Sequence, residues 1–370
     1  MIASGRLLDA VDLAAASSDV ANRRVLGGEP APRAVQRGFP AASPRYSYPM
    51  HYRAFGRLGW RVSEVGYGTW GIGGWTGSDD EMAVRAMDRA VDLGCDFFDT
   101  ALAYGNGHSE QLLARVLYVH RAKRLYVATK VPPMNRKWPG MASDRLDDVF
   151  PADHIRLSTE RSLQNLGLDC VDLQQLHVWS DAWADEDGWK EAVEDLKREG
   201  LIRGFGISVN RWQPTNVLKA LESGLVDAVQ VVYNVFDQSP EDELFPACER
   251  FGVAVIARVP FDEGSLTGQL TPETRWPEGD FRNIYFGDGR LQATLARVDR
   301  LKPLVPPGRD LPDLALRFIL QHPVVSTVIP GMRRTGHVMR NMAVSDGKPL
   351  PEALYRDLRA HRWDRDTELP

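Results

Sequence analysis

The stretch Phe97-Phe98-Asp99-Thr100-Ala101-Leu102-Ala103-Tyr104-Gly105 decides the fold of this chain. Two aromatic residues lead directly into the carboxylate of Asp99, a pattern typical of a buried strand that ends where polar groups reach water. The phenol of Tyr104 follows in a glycine-rich turn, which brings it back toward the same space. A carboxylate and a phenol at the mouth of one strand indicate proton-transfer chemistry.

Short apolar runs alternate with helical patterns from Val62 onward, and several runs are rich in Val and Ile, as buried parallel strands are. Eight such strands, each followed by a helix, predict a (β/α)8 TIM barrel with long loops at its C-terminal face. The alternative is a doubly wound sheet, which normally shows a Gly-x-Gly-x-x-Gly turn after its first strand. The sequence there is Gly71-Ile72-Gly73-Gly74-Trp75, which does not match. The predicted strands are residues 62–70, 97–100, 125–131, 171–178, 202–209, 228–235, 253–259 and 325–330.

The composition is that of a soluble globular enzyme, with 43% hydrophobic and 26% charged residues among 370. A net charge of −5 gives no reason to expect a nucleic-acid partner. The chain contains no apolar run long enough for a transmembrane helix, so no membrane partner is expected. Three widely spaced cysteines fit neither a disulfide framework nor a metal cluster. They predict a reducing compartment, the cytoplasm, and no metal site.

The first 49 residues differ from the remainder, because they are rich in Ala, Arg, Ser and Pro. Asp9 and Asp12 interrupt the apolar run at 7–16, which a signal-peptide core would not tolerate well. We interpret residues 1–49 as a disordered or weakly ordered extension and residues 50–370 as the catalytic barrel. Met50 is a candidate alternative start of the functional chain.

Three consecutive predicted strands deliver four polar groups to one rim of the barrel. Asp99 and Tyr104 come from the second strand and its loop, Lys130 ends the third strand, and His177 ends the fourth. Catalytic residues of such barrels are built from strand ends in this way. Each residue alone has a structural explanation, such as a solvated lysine or a core histidine. Their joint placement favours a catalytic site.

The four groups have a coherent chemistry. An ammonium near a tyrosine favours the phenolate and lowers the phenol pKa from its usual value of roughly 10. A carboxylate paired with Lys130 keeps that lysine charged despite burial. His177 can orient a carbonyl oxygen or relay a proton. Together they form a general acid aimed at a carbonyl, with no nucleophile required.

At these residues the chain resembles the aldo-keto reductases. The match runs through Phe98-Asp99-Thr100-Ala101-x-x-Tyr104-Gly105 and Gly107-His108-Ser109-Glu110, and it covers about residues 51–360. The resemblance implies a (β/α)8 barrel that moves a hydride between NADP(H) and a carbonyl or alcohol. It implies that Tyr104 is the general acid or base, that Lys130 and Asp99 tune it, and that His177 orients the substrate.

The resemblance also implies a cofactor site, with NADP(H) as the cofactor and NAD(H) as the alternative. Ser208, Asn210 and Gln230 would hold the carboxamide, and Arg258 stands where the family usually has an aromatic that stacks on the nicotinamide. A planar guanidinium can also stack on a ring. The loops after the seventh and eighth strands would bind phosphate and adenosine. Their candidate residues are Gly264, Leu266, Gly268, Gly331, Arg333, His337 and Asn341.

The substrate is expected to be a small carbonyl compound. Trp70, Trp138 and Trp179 lie in or beside the loops near the predicted acid, and aromatic-rich loops suit an apolar or amphipathic ligand or a sugar face. Two other functions stay open: a cofactor-sensing regulatory subunit with slow turnover, and an NAD(P)-dependent dehydrogenase of sugars or polyols. The sequence gives no oligomeric state.

Overall fold

The computed structural model describes residues 50–74 and 77–365, and the predicted N-terminal extension lies outside them. Ten strands and twelve α-helices alternate along this part of the chain. In order they are β1 Tyr52–Phe55, β2 Trp60–Ser63, β3 Tyr67–Gly68, α1 Asp80–Asp92, β4 Phe97–Asp99, α2 His108–Val119, β5 Tyr126–Val131, α3 Leu146–Val149, α4 Ala152–Leu166, β6 Val171–Leu176, α5 Asp187–Arg198, β7 Ile202–Ser208, α6 Leu218–Leu221, β8 Ala228–Val232, α7 Leu244–Phe251, β9 Ala254–Arg258, α8 Arg282–Tyr285, α9 Arg290–Leu301, α10 Leu311–Gln321, β10 Val325–Val328, α11 Thr335–Met342 and α12 Glu352–Arg359.

Strands β3 to β10 form one parallel sheet in sequence order. Parallel bridges Val65↔Val328 and Gly68↔Gly331 join its two ends, so the sheet closes into a barrel. Helices pack around it, because buried parallel strands need cover on the outer face. The predicted (β/α)8 barrel is confirmed, and every predicted strand from the second to the eighth overlaps a strand of the structure.

The first predicted strand was too long. Residues 62–70 span the end of β2, a break and the short β3, because the chain first forms an antiparallel hairpin in which Tyr52 pairs with Ser63 and Phe55 with Trp60. Phe55 is fully buried at the amino-terminal end of the barrel, in the interior cluster that also contains Phe97. The hairpin therefore closes the barrel at the end opposite the predicted site.

The sequence Ser78-Asp79-Asp80-Glu81 marks the beginning of helix α1. Asp79, rather than Ser78, is the N-cap, and its carboxylate accepts a hydrogen bond from the Met82 amide at 2.6 Å. Asp310 caps α10 in the same way, through the Asp313 amide. Both caps fix where the chain leaves the barrel rim and enters a helix.

Two long segments at the carboxyl end of the barrel shape the region above the strands. The first follows β5 and contains α3. The second follows β9 and contains the 3-10 segment Asp262–Thr267, then α8 and α9. Among the described residues, no helix is long and apolar enough to cross a membrane.

Candidate active site

Lys130 and Asp99 form a buried ion pair at the carboxyl ends of β5 and β4. The Nζ–Oδ1 distance is 2.6 Å, and the two residues are 0% and 2% exposed. Lys130 Nζ also donates to the carbonyl oxygen of Thr100 at 2.8 Å and to the phenolic oxygen of Tyr104 at 3.3 Å. Because the ammonium donates to that oxygen, the phenolic hydrogen is directed away from Lys130.

Two glutamine side chains inside the barrel hold the carboxylate of Asp99. Gln230 on β8 donates from Nε2 to Asp99 Oδ2 at 2.7 Å, and Gln175 on β6 donates to the same oxygen at 3.3 Å. Sequence reasoning missed Gln175. The sequence could have identified it, because Gln175 is a polar residue inside an apolar run, and a buried amide needs a hydrogen-bond partner. The carboxylate is thus bonded to side chains from three other strands.

The balance of burial and charge keeps Tyr104 protonated. Burial raises the pKa of its phenol, and this outweighs the lowering by the Lys130 ammonium. The expected net lowering by the lysine is therefore wrong in direction, although the lysine acts in the expected sense. Burial opposes the charged form of Lys130, yet Asp99 and Tyr104 raise its pKa overall. A neutral phenol beside an ammonium is an acid ready to donate.

His177 lies beside the acid as a neutral ring. Its imidazole centroid is 5.6 Å from that of Tyr104, and the indole of Trp138 packs edge-on to it at 4.5 Å. Burial, Lys130 and Arg258 lower the pKa of His177 well below 6.5. Its Nδ1 is buried without a hydrogen-bond partner among the described residues. The predicted four groups thus meet at one rim, and His177 stays uncharged at neutral pH.

Arg258 brings an additional positive charge close to this group. Its Nη2 donates to the carbonyl of Val209 at 2.9 Å, and its Nε has no partner among the described residues. Burial and the neighbouring Arg211 lower the pKa of Arg258 to about 10, so it remains charged at neutral pH. Arg258 is the last residue of β9, the position at which the family resemblance implies a group that stacks on the nicotinamide.

The three residues predicted to hold the carboxamide have different surroundings. Ser208 is buried at the end of β7, and Gln230 is already committed through Nε2 to Asp99. Asn210 requires a correction. It donates to the carbonyl of Gly140 at 2.9 Å and to Gln213, and it accepts from the Trp179 amide. Because its donors and its oxygen serve the loops, Asn210 fastens the segment after β5 to the loop after β7.

The loops after β9 and β10 leave open space and gather positive charge. A Cβ atom added at Gly264 or Gly331 would meet nothing within 4 Å, so there is room for a ligand beside these two glycines. Burial and the neighbouring Arg282 and Arg334 lower the pKa of Arg333, which shows that cations gather here. Such a concentration of positive charge suits phosphate groups.

The other candidate residues of these loops differ in exposure. Leu266 is 1% exposed, whereas Gly268 lies at the surface with a left-handed φ of 71°. His337 and Asn341 stand one turn apart on α11, with His337 exposed and Asn341 buried. His337 and Asn341 therefore lie on one face of α11, the helix that begins directly after Arg333 and Arg334.

Two of the three predicted substrate tryptophans are partly exposed. Trp138 is 46% exposed and covers His177, and Trp70 is 39% exposed and meets the ring of Phe281 at 5.4 Å. Trp179 requires a correction, because it is 0% exposed and packs edge-on to Trp183 and Trp189 in the core. It therefore presents no surface to a substrate in this structure.

The chain thus forms a (β/α)8 barrel with a phenol, an ammonium, a carboxylate and an imidazole together at its carboxyl end, and the family is shown by similarities to known proteins. A model of the aldo/keto reductase family matches residues 64–362. L-galactose dehydrogenase of Arabidopsis thaliana is 31% identical over 80% of this chain and 88% of its own length. The holo form of aldo-keto reductase AKR11C1 from Bacillus halodurans has a TM-score of 0.68 at 28% identity, covering 86% of this chain and 98% of that one. Glycerol dehydrogenase AKR11B4 from Gluconobacter oxydans has a TM-score of 0.69 at 28% identity, covering 84% and 94%.

The chain therefore belongs to the aldo/keto reductase family, and the predicted family is confirmed. It is an oxidoreductase that uses NADP(H) to interconvert a carbonyl compound and an alcohol.

Proposed function

We propose that the protein reduces small aldehydes or ketones, with Tyr104 as the general acid. The observation that carries this proposal is the hydrogen bond from Lys130 Nζ to the Tyr104 oxygen at 3.3 Å, beside the Lys130–Asp99 ion pair at 2.6 Å. The ammonium stabilises the phenolate that forms when the proton leaves. Asp99 keeps the lysine charged in its buried position.

The substrate carbonyl lies between Tyr104 and His177 in this proposal. The neutral imidazole donates a hydrogen bond to the carbonyl oxygen, and the phenol of Tyr104 transfers its proton to that oxygen. When bound, NADP(H) would supply the hydride that reduces the carbonyl carbon. Trp70 and Trp138 provide apolar walls that exclude water from this space.

The cofactor would be held by three parts of the rim. Ser208 and the carbonyl of Gln230 would bind the carboxamide, and the Arg258 guanidinium would lie against the ring. The loops that contain Gly264, Leu266, Gly268 and Gly331 would surround the phosphates. Arg333, with His337 and Asn341 on α11, would contact the adenosine half. A cation in the position of Arg333 favours the additional phosphate of NADP(H) over NAD(H).

The reverse direction is the second candidate function. The glycerol dehydrogenase and the L-galactose dehydrogenase among the similar proteins are named for oxidation of polyhydroxy compounds. The same residues would then act with the proton flow reversed, since the general acid of one direction is the general base of the other. The exposed faces of Trp70 and Trp138 could stack on a sugar as well as on an apolar carbonyl.

A paired screen separates these directions. The purified protein is given NADPH or NADH with reactive aldehydes and ketones, and NADP⁺ or NAD⁺ with polyols and sugars, while absorbance of the reduced cofactor is followed. We expect the largest kcat/KM with NADPH and a carbonyl compound. A larger kcat/KM with an oxidised cofactor and a polyol would favour the dehydrogenase. Tight NADPH binding with turnover at background in every pair would favour a cofactor sensor.

Tyr104→Phe tests the acid itself. It removes only the hydroxyl, so we expect kcat to fall by about 100-fold or more while the Kd for NADPH is kept. Tyr118→Phe is the matched control, because Tyr118 is 72% exposed on the outer surface of α2. Equal activity of the two variants would exclude Tyr104 as the proton donor.

A further inference from the structure

The C-terminal segment after α12 is docked on the carboxyl end of the barrel. The amide of Trp363 donates to the carbonyl of Phe236 at 2.8 Å, and the two rings pack edge-on. Gln238 donates from Nε2 to the carbonyls of Leu358 and Arg359. These contacts fasten the end of α12 and the segment after it to the loop that follows β8.

The segment delivers the guanidinium of Arg365 into a buried acidic site. Arg365 Nη2 lies 2.7 Å from Asp262 Oδ1, and its Nε lies 3.7 Å from Asp237 Oδ1. The side chains of Arg365, Asp262 and Asp237 are 6%, 0% and 4% exposed. Tyr285 of α8 completes the cluster, since its hydroxyl donates to Asp262 and also contacts Arg365. One cation from the chain end thus lies between two buried carboxylates from two rim loops.

Asp262 opens the loop that we assign to the cofactor phosphates, and the backbone there is strained. Val259, Asp262 and Glu263 have φ values of 56°, 46° and 53°, which L side chains rarely adopt. Such a conformation persists only where surrounding contacts over-determine it. Here the surrounding contacts are hydrogen bonds that Arg365, Tyr285 and the hydroxyl of Ser265 donate to the Asp262 carboxylate.

We propose that Arg365 is a positioning residue for cofactor binding. It holds the loop 262–268 in the shape that leaves open space beside Gly264 for the phosphates, and so the C-terminal segment acts as a clamp on the cofactor site. The inference rests on the proposed role of that loop.

Loss of Arg365 would leave two carboxylates buried without their cation. A buried unpaired charge is strongly unfavourable, so the loop opens until water reaches Asp262 and Asp237. Cofactor binding must then reclose the loop, which reduces the apparent affinity by the fraction of molecules in the closed state.

The test compares Arg365→Met with Arg362→Met in the full chain. Arg362 is a matched control, because it also lies in the C-terminal segment and pairs with two carboxylates, Asp242 and Asp364, but it is 34% exposed. The Kd for NADPH is measured from quenching of tryptophan fluorescence. We expect Arg365→Met to raise this Kd by about 5- to 100-fold, the usual range of coupling between distant sites. Arg362→Met should leave it within about twofold.

A split between binding and turnover distinguishes positioning from general destabilisation. At saturating NADPH, kcat of Arg365→Met should stay within about threefold of the unsubstituted protein, while the KM for NADPH rises with the Kd. Arg365→Lys keeps the charge without the forked geometry and should give an intermediate Kd. In Arg365→Met/Asp262→Asn, one stranded charge is gone, and the Kd should move back toward that of the unsubstituted protein.

Equal NADPH affinity of the Arg365→Met, Arg365→Lys and Arg362→Met proteins would overturn the clamp and leave the proposed function standing. Failure of the unsubstituted protein to bind NADPH would instead overturn the proposed function, and the clamp with it. If Arg365→Met does not fold, Arg365→Lys decides the matter, because it retains a cation between the carboxylates. An unchanged Kd in that variant contradicts the inference.

Discussion

Asp99 is the residue on which the site depends. It is bonded to Lys130 of β5, to Gln175 of β6 and to Gln230 of β8. Each partner is itself a polar residue in a buried strand, and each would be costly to bury alone. The network therefore fixes the carboxylate and, through Lys130, the position of the Tyr104 oxygen.

Substituting Gln230 by Leu tests this network. It removes the 2.7 Å bond to Asp99, so we expect a loss of about 1–3 kcal/mol in the free energy of unfolding and a fall of about tenfold in kcat/KM. Urea denaturation and steady-state kinetics measure the two effects. Gln174→Leu is the control, since Gln174 is 1% exposed and neither polar atom of its side chain has a partner among the described residues. That change should be neutral or stabilising, and a larger loss there than at Gln230 would contradict the network.

The pH dependence of reduction follows from two side chains. Burial raises the pKa of Tyr104 above its usual value, and burial with Lys130 and Arg258 lowers that of His177 well below 6.5. Neither group changes its charge between about pH 6.5 and pH 9, so kcat/KM for carbonyl reduction should be flat there. Above that range it should fall, as Tyr104 loses the proton that we propose it donates. A pH–rate profile with an apparent pKa near 6.5 would contradict a neutral His177.

Sequence alone predicted the residues at the strand ends but not all of their partners. Asp99, Lys130 and His177 could be placed because a polar group after an apolar run marks the mouth of a barrel strand. The clamp by Arg365 could not be predicted, since 103 residues separate it from Asp262 and no local pattern marks the pair. Trp179 was misplaced because the sequence does not show whether an aromatic residue after a strand lies in the core or faces the site.

At the scale of elements, the hairpin β1–β2 covers the amino end of the barrel, as the long loops cover the carboxyl end. Phe55 fills the barrel interior, with its ring 5.4 Å from that of Trp60 and 5.3 Å from that of Phe97. Arg53 of β1 pairs with Glu64, which follows β2, and donates to the carbonyl of Val325 on β10, so it joins the hairpin to the barrel wall. The sequence concealed this element, because its second strand runs almost directly into β3 and the two resemble one longer strand.

Phe55→Ala should separate stability from catalysis. Deleting a fully buried phenyl ring leaves a cavity and costs about 3–5 kcal/mol in the free energy of unfolding. The site lies at the other end of the barrel, so kcat/KM of the folded variant should stay within about twofold. Denaturant unfolding monitored by circular dichroism measures the loss. Tyr52→Phe, at a residue that is 39% exposed, should cost under about 1 kcal/mol, and equal losses would contradict a plug role for Phe55.

On the scale of the whole molecule, the described fold begins near Met50, where the hairpin starts. We propose that a chain starting at Met50 keeps kcat/KM and melting temperature close to those of the full chain, because the interior and the site are built from later residues. A chain starting at Val65 lacks the hairpin and should fail to fold, since the barrel interior is then open to water. Assays of the two shortened proteins beside the full chain check this. Loss of activity in the Met50 protein would show that the preceding residues take part.

The hydrogen bonds of Asp99 also restrict the register in which the strands can pair during folding. A strand that pairs one residue out of register turns every side chain to the opposite face of the sheet. Lys130 would then be buried without Asp99, or Gln175 and Gln230 would be buried without the carboxylate. The free-energy cost of either is larger than a marginally stable protein tolerates. Only a barrel assembled in the correct register satisfies all of these groups at once. Refolding experiments should therefore recover specific activity in proportion to native protein, with no inactive compact form accumulating beside it.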